Sequence, residues 1–496
     1  MHNCPNDDEK YLYLKTNKFY FYYLGIYSTI LLFTGMCLFI ISHPFFYVFL
    51  PFVIVTLFYL TISYAVGIFS NDFDHMIHKI IIDFVEYKPT IDIYYTCAGE
   101  DFAIIYNSLK AIQSMVFHSP YIINVYVLDD QQTNKYIRLV CSELEFNYIA
   151  RPSRGEWKKA GNLRYAFEKT KGDLIVIFDA DFCPRPDFLT QTVPYFAKSD
   201  IGIIQTPQFF QPSECTNWID RGSAIIQILF YKLIQTNRNH FGAAICVGTN
   251  AVYRRKALEP FGGTALIGYS EDVHTGFNVV NSGYKLKYIP INLAKGLCPN
   301  RMSQYFNQQY RWCMGSLTLA LNKGFWVSSL NYIQKLCYMS GMLYYVITAI
   351  SIFINCIPSL LVLYFLPQFV LWYSVLWSIP SLLFGTVFFA YWTKHWHILD
   401  VLRSRIFSYY AYFFAAKDKL FGDLMEWIPT GSGNQAYERF IKAKRLIFIW
   451  NTLNLSLVLF GCGYHWSIVR FNSIPLISVT LFWFAVNISI ISKTSD

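Results

Sequence analysis

Leu174-Ile-Val-Ile-Phe-Asp-Ala-Asp181 is a run of β-branched and aromatic residues that ends in two carboxylates one residue apart. A short continuous apolar run reads as a strand buried on both faces, and the acidic pair then sits at its carboxyl end. In open α/β sheets ligands bind beyond that end. Similar runs recur at residues 91–95, 122–128 and 201–205, and the second leads into Asp129-Asp130. Helical patterns at 103–116 and 159–171 lie between them. Strand and helix alternating at this spacing predict one α/β domain over residues 85–325, built on a mostly parallel sheet.

Outside that segment the chain is far more apolar. Of its 496 residues 54% are hydrophobic and 15% charged, against about 25% charged in an average soluble domain. An ordinary soluble enzyme and a disordered chain are both excluded. Uncharged stretches cover 19–42 and 44–70, an apolar stretch fills 336–393 between Lys335 and Lys394, and two more cover 446–464 and 474–491. A bilayer core takes about 20 apolar residues in a helix, so six spans are expected. The layout is an N-terminal segment (1–18), two spans (19–70), the α/β domain (85–325), two spans (326–393), a polar segment (394–445) and two last spans with a short C-terminus (446–496). The first stretch reads as an anchor rather than a cleaved leader, because Asp7, Asp8 and Glu9 precede it and a second span follows directly.

Loop charge orients the spans. Residues 394–445 hold nine Lys/Arg against five Asp/Glu, so 9 − 5 = +4 of the net +9 lies there, and Lys10, Lys15 and Lys18 precede the first span. Positive loops face the cytoplasm, which places the domain and both termini on that side. The excess is therefore a membrane signature, and no nucleic-acid partner is expected. Ionisable residues are almost absent from the spans, which argues against an ion pump or channel. Residues 305–325 and 395–421 mix aromatic, apolar and basic side chains at helical spacing. They read as helices lying on the membrane interface, with Lys394, Arg403, Arg405, Lys417 and Lys419 on a wet face; the alternative is a pair of extra core helices of the α/β domain. The twelve cysteines contain no CxxC pair and no Cys/His spacing for zinc.

Three groups of residues could do chemistry. Asp179 and Asp181 could hold Mg²⁺ or Mn²⁺ against nucleotide phosphates; the spacing alone is weak, since Asp72 and Asp74 repeat it in what reads as a solvated loop. Ser270-Glu271-Asp272 precedes a helical pattern, where a carboxylate either caps the helix or serves as a general base. Gln308-Gln-Tyr-Arg311-Trp312 opens an amphipathic helix. Its Arg and Trp either anchor at a membrane face or pair with a pyrophosphate and stack on a sugar.

Taken in order, Asp129-Asp130, Asp179-x-Asp181, Glu271-Asp272 and Gln308-x-x-Arg311-Trp312 resemble the D, DxD, ED, QxxRW series of processive family 2 glycosyltransferases. Lys159-Ala-Gly-Asn162, Phe178-Asp-Ala-Asp181, Gln205-Thr-Pro-Gln-Phe-Phe210 and Glu271-Asp-Val-His-Thr-Gly276 are most similar to cellulose synthases, whereas the six-span layout is closer to hyaluronan synthase. The resemblance implies a GT-A-like domain between two and four transmembrane helices, with a channel for the growing polysaccharide. It also implies roles. Asp129 and Lys159 contact UDP, Asp179 lies at the donor diphosphate, and Asp181 coordinates the metal, with Asp179 beside it. Asp272 is the base. Gln308, Arg311 and Trp312 line the acceptor end, joined by Glu271, Gly248 and Thr249; the last two lie in Ile245-Cys-Val-Gly-Thr249, which stands where cellulose synthases show FFCGS. A gating loop matches Trp427-Ile-Pro429-Thr430-Gly431-Ser-Gly433 loosely.

The expectation is thus an inverting, processive transferase of the plasma membrane. Its partners are a UDP-sugar, the growing polymer and the lipid bilayer. UDP-glucose and a cellulose-like β-glucan come first. A chitin or hyaluronan type using UDP-N-acetylglucosamine and a non-processive glycolipid transferase such as a ceramide glucosyltransferase are the alternatives, and an inactive scaffold or transporter is the contrasting class. Nothing in the sequence names a second copy or an accessory export partner.

Overall fold

The computed structural model describes residues 3–131, 134–422 and 434–492. Nine strands follow one another as β1 (Thr90–Cys97), β2 (Ile122–Asp129), β3 (Asn147–Ile149), β4 (Leu174–Asp179), β5 (Phe182–Pro184), β6 (Ile201–Gln205), β7 (Ala251–Arg254), β8 (Lys285–Tyr288) and β9 (Ala294–Gly296). Seven form one sheet in the order β3-β2-β1-β4-β7-β6-β8, and β5 pairs with β9. All four strands expected from the apolar runs are present, each starting within a residue of its expected start. The sheet is mixed, because β7 runs antiparallel to both β4 and β6 while the remaining pairings are parallel. The chain reaches that strand from helices Trp218–Ile228 and Gln235–His240 through residues 241–250, and its four residues are too few to show a period.

Helices Phe102–Phe117 and Lys158–Lys169 pack on the sheet with their apolar stripes inward, burying Ile105, Leu109, Ile112 and Met115 from the first, and Leu163 and Ala166 from the second. Ile91, Ile93, Val125, Val127, Ile175 and Ile177 fill the centre of the same core. One charge is deliberately placed inside it. Asp92 of β1 is almost fully buried, accepts the Gly172 amide at 2.6 Å, and pairs with Arg255 at 3.0 Å. Arg255 also donates to the Gly172 carbonyl and to the Thr170 hydroxyl, so the pair clamps the chain as it enters β4.

Among the described residues six helices are long and apolar enough to cross a membrane: Lys18–Ile41, Pro44–Phe69, Tyr332–Phe365, Trp372–Thr393, Glu438–Tyr464 and Trp466–Ser492. Their number and order agree with the sequence reading. The first two pack closely where Gly67 meets the Tyr22 ring, with no room for a Cβ. The loop holding Asp72 and Asp74 is exposed as expected; Asp72 accepts the Thr16 hydroxyl and Asp74 caps helix His75–Phe84.

The wet face expected along 395–421 is not what forms. Helix Ile398–Phe421 is buried along most of its length. Arg403 donates to Ser489 at 2.8 Å, Arg405 lies 5.0 Å from the Phe389 ring, and Lys417 pairs with Asp418 at 2.9 Å; only Lys394 is fully exposed. The alternation of basic and aromatic residues marks a helix packed on all sides, with its cations given partners.

Removing the acid of a buried ion pair leaves an uncompensated charge and destabilises by about 3–5 kcal/mol. Asp92→Ala is therefore expected to lower the thermal unfolding midpoint of the detergent-solubilised chain markedly. Asp92→Asn, which still accepts from Gly172, is expected to fall between the two.

Candidate active site

The carboxyl ends of β1, β2 and β4 lie side by side, because Cys97 pairs with Asp129 and Thr96 with Asp179. Asp129 is buried and accepts the Tyr148 hydroxyl at 2.7 Å and the Gln131 amide at 3.1 Å. Asp130 is turned to a structural task. Arg151 donates to it from Nε and Nη2 at 2.5 and 2.7 Å, and the same guanidinium donates to the carbonyls of Glu156 and Lys158. This holds Trp157 and Lys158 in left-handed backbone, each at φ 53°, and fixes where the next helix starts.

Lys159, in the first turn of that helix, reaches across the cleft. Its Nζ donates to Asp179 Oδ1 at 2.5 Å and to the Gly248 carbonyl at 2.9 Å, and lies 3.9 Å from Glu271. Although burial opposes its charge, Asp179 and Glu271 hold Lys159 above the ordinary lysine range. Asp179 also accepts from Thr96 Oγ1 at 2.9 Å, and its backbone amide donates to Thr249 Oγ1 at 2.9 Å. Beyond it, burial and the neighbouring Asp179 carboxylate push Asp181 up to about 8. Glu100, a residue that the sequence reading did not single out, adds to that repulsion from the end of β1.

The other wall is helix Glu271–Asn281. Burial and the adjacent Glu271 raise Asp272 well above the carboxylate range, with Lys159 opposing. Asp272 does not cap its helix; Ser270 occupies that position in left-handed backbone without a capping bond. Helix Met302–Ala320 comes close enough at Gly315 that a Cβ there would overlap Ser270 Oγ, and Ser270 Oγ donates to the Arg311 carbonyl at 3.3 Å. Arg311, whose charge burial disfavours, stands in the field of Glu271, Asp179 and Asp272. Gln308 is on the same stripe as Arg311 and Trp312, and its Oε1 is buried without a hydrogen-bond partner among the described residues.

No three His, Cys, Asp or Glu side chains converge on a metal position among the described residues. Hard divalent cations at nucleotide sites use one or two carboxylates and the substrate's phosphates. Asp181 fits that use, since burial and the Asp179 carboxylate raise its carboxyl more than Lys159 lowers it, and a bound cation would relieve that repulsion. Asp179 fits less fully, because one of its oxygens already serves Lys159 and Thr96.

Residues 174–414 match the family model described as glycosyl transferase family group 2. Cellulose synthase 1 of Komagataeibacter xylinus is 33% identical over 260 residues, which is 51% of this chain and 16% of that relative. A UDP-forming cellulose synthase catalytic subunit of Pseudomonas fluorescens is 32% identical over 267 residues, 52% of this chain and 35% of that relative. The chain carries a family 2 glycosyltransferase domain. The matches span about a third or less of these relatives' own length. Among solved structures, a mannosyltransferase of Pyrobaculum calidifontis in complex with GDP-Man and Mn2+ superposes with a TM-score of 0.51 at 14% identity, covering 75% of this chain and 100% of that one. The likeness is one of fold, and the glycosyltransferase domain is GT-A-like.

Within the glycosyltransferase domain, Asp179, Asp181, Lys159, Glu271, Asp272 and Arg311 come together around one cleft. Asp129 stands one strand away from β1, outside the matched residues. Gly248 meets the cleft through its carbonyl. Thr249 does not meet it at all: the residue is fully buried and its hydroxyl holds the Asp179 amide. The expected acceptor contact is thus a support for the acidic strand end. Trp427, Pro429, Thr430 and Gly431, expected to form a gating loop, lie outside the described residues.

Gln205 was noticed in sequence only as part of a family-like string. Its Nε2 donates to the Thr206 and Thr249 carbonyls at 2.8 Å and its Oε1 accepts the Val247 amide at 2.9 Å, while Gln208 donates to the Val247 carbonyl. Phe209 and Phe210 are core residues. The string supports the 245–250 turn from below, and the available signal was a fully buried amide following an all-buried strand.

That turn carries Gly248 at φ 79°, where a Cβ would stand 2.9 Å from Asp272 Cβ. A non-glycine residue held in such backbone costs about 1–3 kcal/mol. Gly248→Ala is expected to lower the thermal midpoint and to weaken UDP binding measured by calorimetry, since the same turn fixes Lys159.

Proposed function

We propose that the chain is an inverting, UDP-sugar-dependent glycosyltransferase embedded in a membrane, that it polymerises glucose into a cellulose-like β-glucan, and that it passes the polymer between its spans. The observation that carries this reading is the bridging of the cleft by Lys159, which draws the strand-end carboxylates and the Glu271–Asp272 pair to one point. A donor diphosphate and an acceptor hydroxyl could meet there.

Lys159 and Arg311 supply positive charge to the diphosphate. Asp181, with Asp179 beside it, is the group that would hold a divalent cation such as Mg²⁺ or Mn²⁺, which when bound neutralises charge on the departing UDP. Asp272 accepts the proton of the attacking hydroxyl. Its raised pKa suits a base that must be ionised yet basic near neutral pH. The unpaired Gln308 Oε1 offers an acceptor to a sugar hydroxyl, and Trp312 a flat apolar face for the ring.

Export is supported by a run of tyrosines leading from this helix into the bundle. Tyr412 stacks edge-on against Tyr345 at 4.8 Å, Tyr345 lies 5.4 Å from Tyr344, and Tyr344 lies 6.4 Å from Tyr59 of the Pro44–Phe69 span. The charge of the 394–445 segment supports a cytoplasmic domain, and the membrane proposed is the plasma membrane.

Asp272→Asn is expected to abolish UDP release from UDP-glucose while UDP affinity changes little; a variant retaining most of its turnover would rule out the assigned base. Chelation is expected to stop turnover, and Mn²⁺ or Mg²⁺ to restore it. For the wild type, kcat/KM should rise with pH along a limb well above the usual carboxylate range. Glu271→Gln removes the repulsion that raises Asp272, so this limb should move to lower pH; an unmoved or upward-shifted limb contradicts the coupling.

A further inference from the structure

The middle positions of Gln308-Gln-Tyr-Arg-Trp312 do not face the cleft. Helix Met302–Ala320 is half-buried along Gln304, Gln308, Arg311 and Trp312 and buried along Tyr305, Gln309, Tyr310 and Cys313. The buried stripe lies on helix Ile398–Phe421, and it is joined there by polar bonds at successive turns. Tyr305 donates to the Ser404 carbonyl at 3.3 Å, Tyr412 donates to Gln309 Oε1 at 2.6 Å, and Tyr310 donates to Asp418 Oδ2 at 2.9 Å. Asp418 is fully buried and is also bound by Arg439 of helix Asn434–Tyr464 at 2.6 Å, with Lys417 2.9 Å from its other oxygen.

Apolar packing between two helices is non-directional and leaves rotation about the long axis loosely set. Directional bonds remove that freedom. Side-chain tips lie about 5–6 Å from a helix axis, so a rotation of about 10° moves Trp312 by about 1 Å. A displacement of that size can lower a rate by about a hundredfold.

We propose that Gln309 and Tyr310 are positioning residues, which with Tyr412 and Asp418 set the rotation of the helix and thereby aim Gln308, Arg311 and Trp312 at the cleft. The inference rests on the transferase reading for its kinetic consequence but not for its geometry. Tyr310→Phe removes one hydroxyl and leaves Asp418 paired with Arg439 and Lys417, so the fold is preserved.

The test uses the full chain in detergent, with two readouts. Hydroxyl-radical footprinting by mass spectrometry measures the exposure of Trp312 against Trp218 and Trp392 as internal references. Tyr310→Phe and Gln309→Leu are expected to change Trp312 labelling at least twofold with the references and the thermal midpoint unchanged. Turnover of UDP-glucose is expected to fall tenfold or more in kcat with donor KM little altered, and Asp418→Asn, which keeps an acceptor oxygen for Tyr310, to lie between. Trp312 labelling equal to wild type, or a loss of kcat matched by a fall in thermal midpoint, overturns the inference. A wild type that labels as described but releases no UDP overturns the transferase reading instead.

Discussion

Carboxylates converging on one cleft repel each other, and the domain depends on the single ammonium that lets them stay. Lys159 sits between Asp179 at the end of β4 and Glu271 at the start of its helix, within the field of Asp272. Even so, the balance is incomplete. Burial and the neighbouring carboxylates keep Asp181 and Asp272 well above the carboxylate range. The raised value gives Asp272 the basicity its proposed role needs.

Placing Lys159 takes a chain of polar supports. Arg151 and Asp130 fix the start of the lysine's helix. Gln205 and Gln208 hold the turn whose Gly248 carbonyl receives the ammonium, and Thr249 ties that turn to the Asp179 amide. On the far side, Gly315 lets the helix carrying Arg311 approach Ser270. Buried hydrogen bonds of this kind contribute about 1 kcal/mol each when satisfied, but leaving a partner unpaired destabilises by more. They therefore specify geometry more strongly than they add stability.

The strands and spans were legible in sequence because each is a long run of one chemical character. Leu174–Asp179 needed no context to read as a buried strand, and the six spans stand out by length and lack of charge. What the sequence concealed were features set by tertiary contact. The four residues of β7 carry no period, so its antiparallel course and the mixed sheet were not visible. Arg403 and Arg405 look solvated in a list of charges, yet one meets Ser489 and the other the Phe389 ring. Among the candidate site residues, Asp179, Asp181 and Asp272 stood out by their placement at a strand or helix end, whereas Lys159 was named only through the family-like string it opens. The supporting roles of Thr249 and Gln205 were not readable, because a hydroxyl or amide that binds ligand and one that binds backbone look alike until the fold is known.

The account finally joins two halves, a family 2 glycosyltransferase domain and the apolar helices long enough to span a membrane, six among the described residues. Its central claim is that sugar added at the cleft leaves as a polymer. The direct measurement is the size and linkage of the product that purified membranes make from radiolabelled UDP-glucose, resolved by gel filtration before and after digestion with a β-1,4-glucanase. The account predicts label in a high-mass fraction that the enzyme converts to small oligosaccharides. Label confined to an organic-soluble glycolipid, or polymer formed only from UDP-N-acetylglucosamine and resistant to the glucanase, would contradict it.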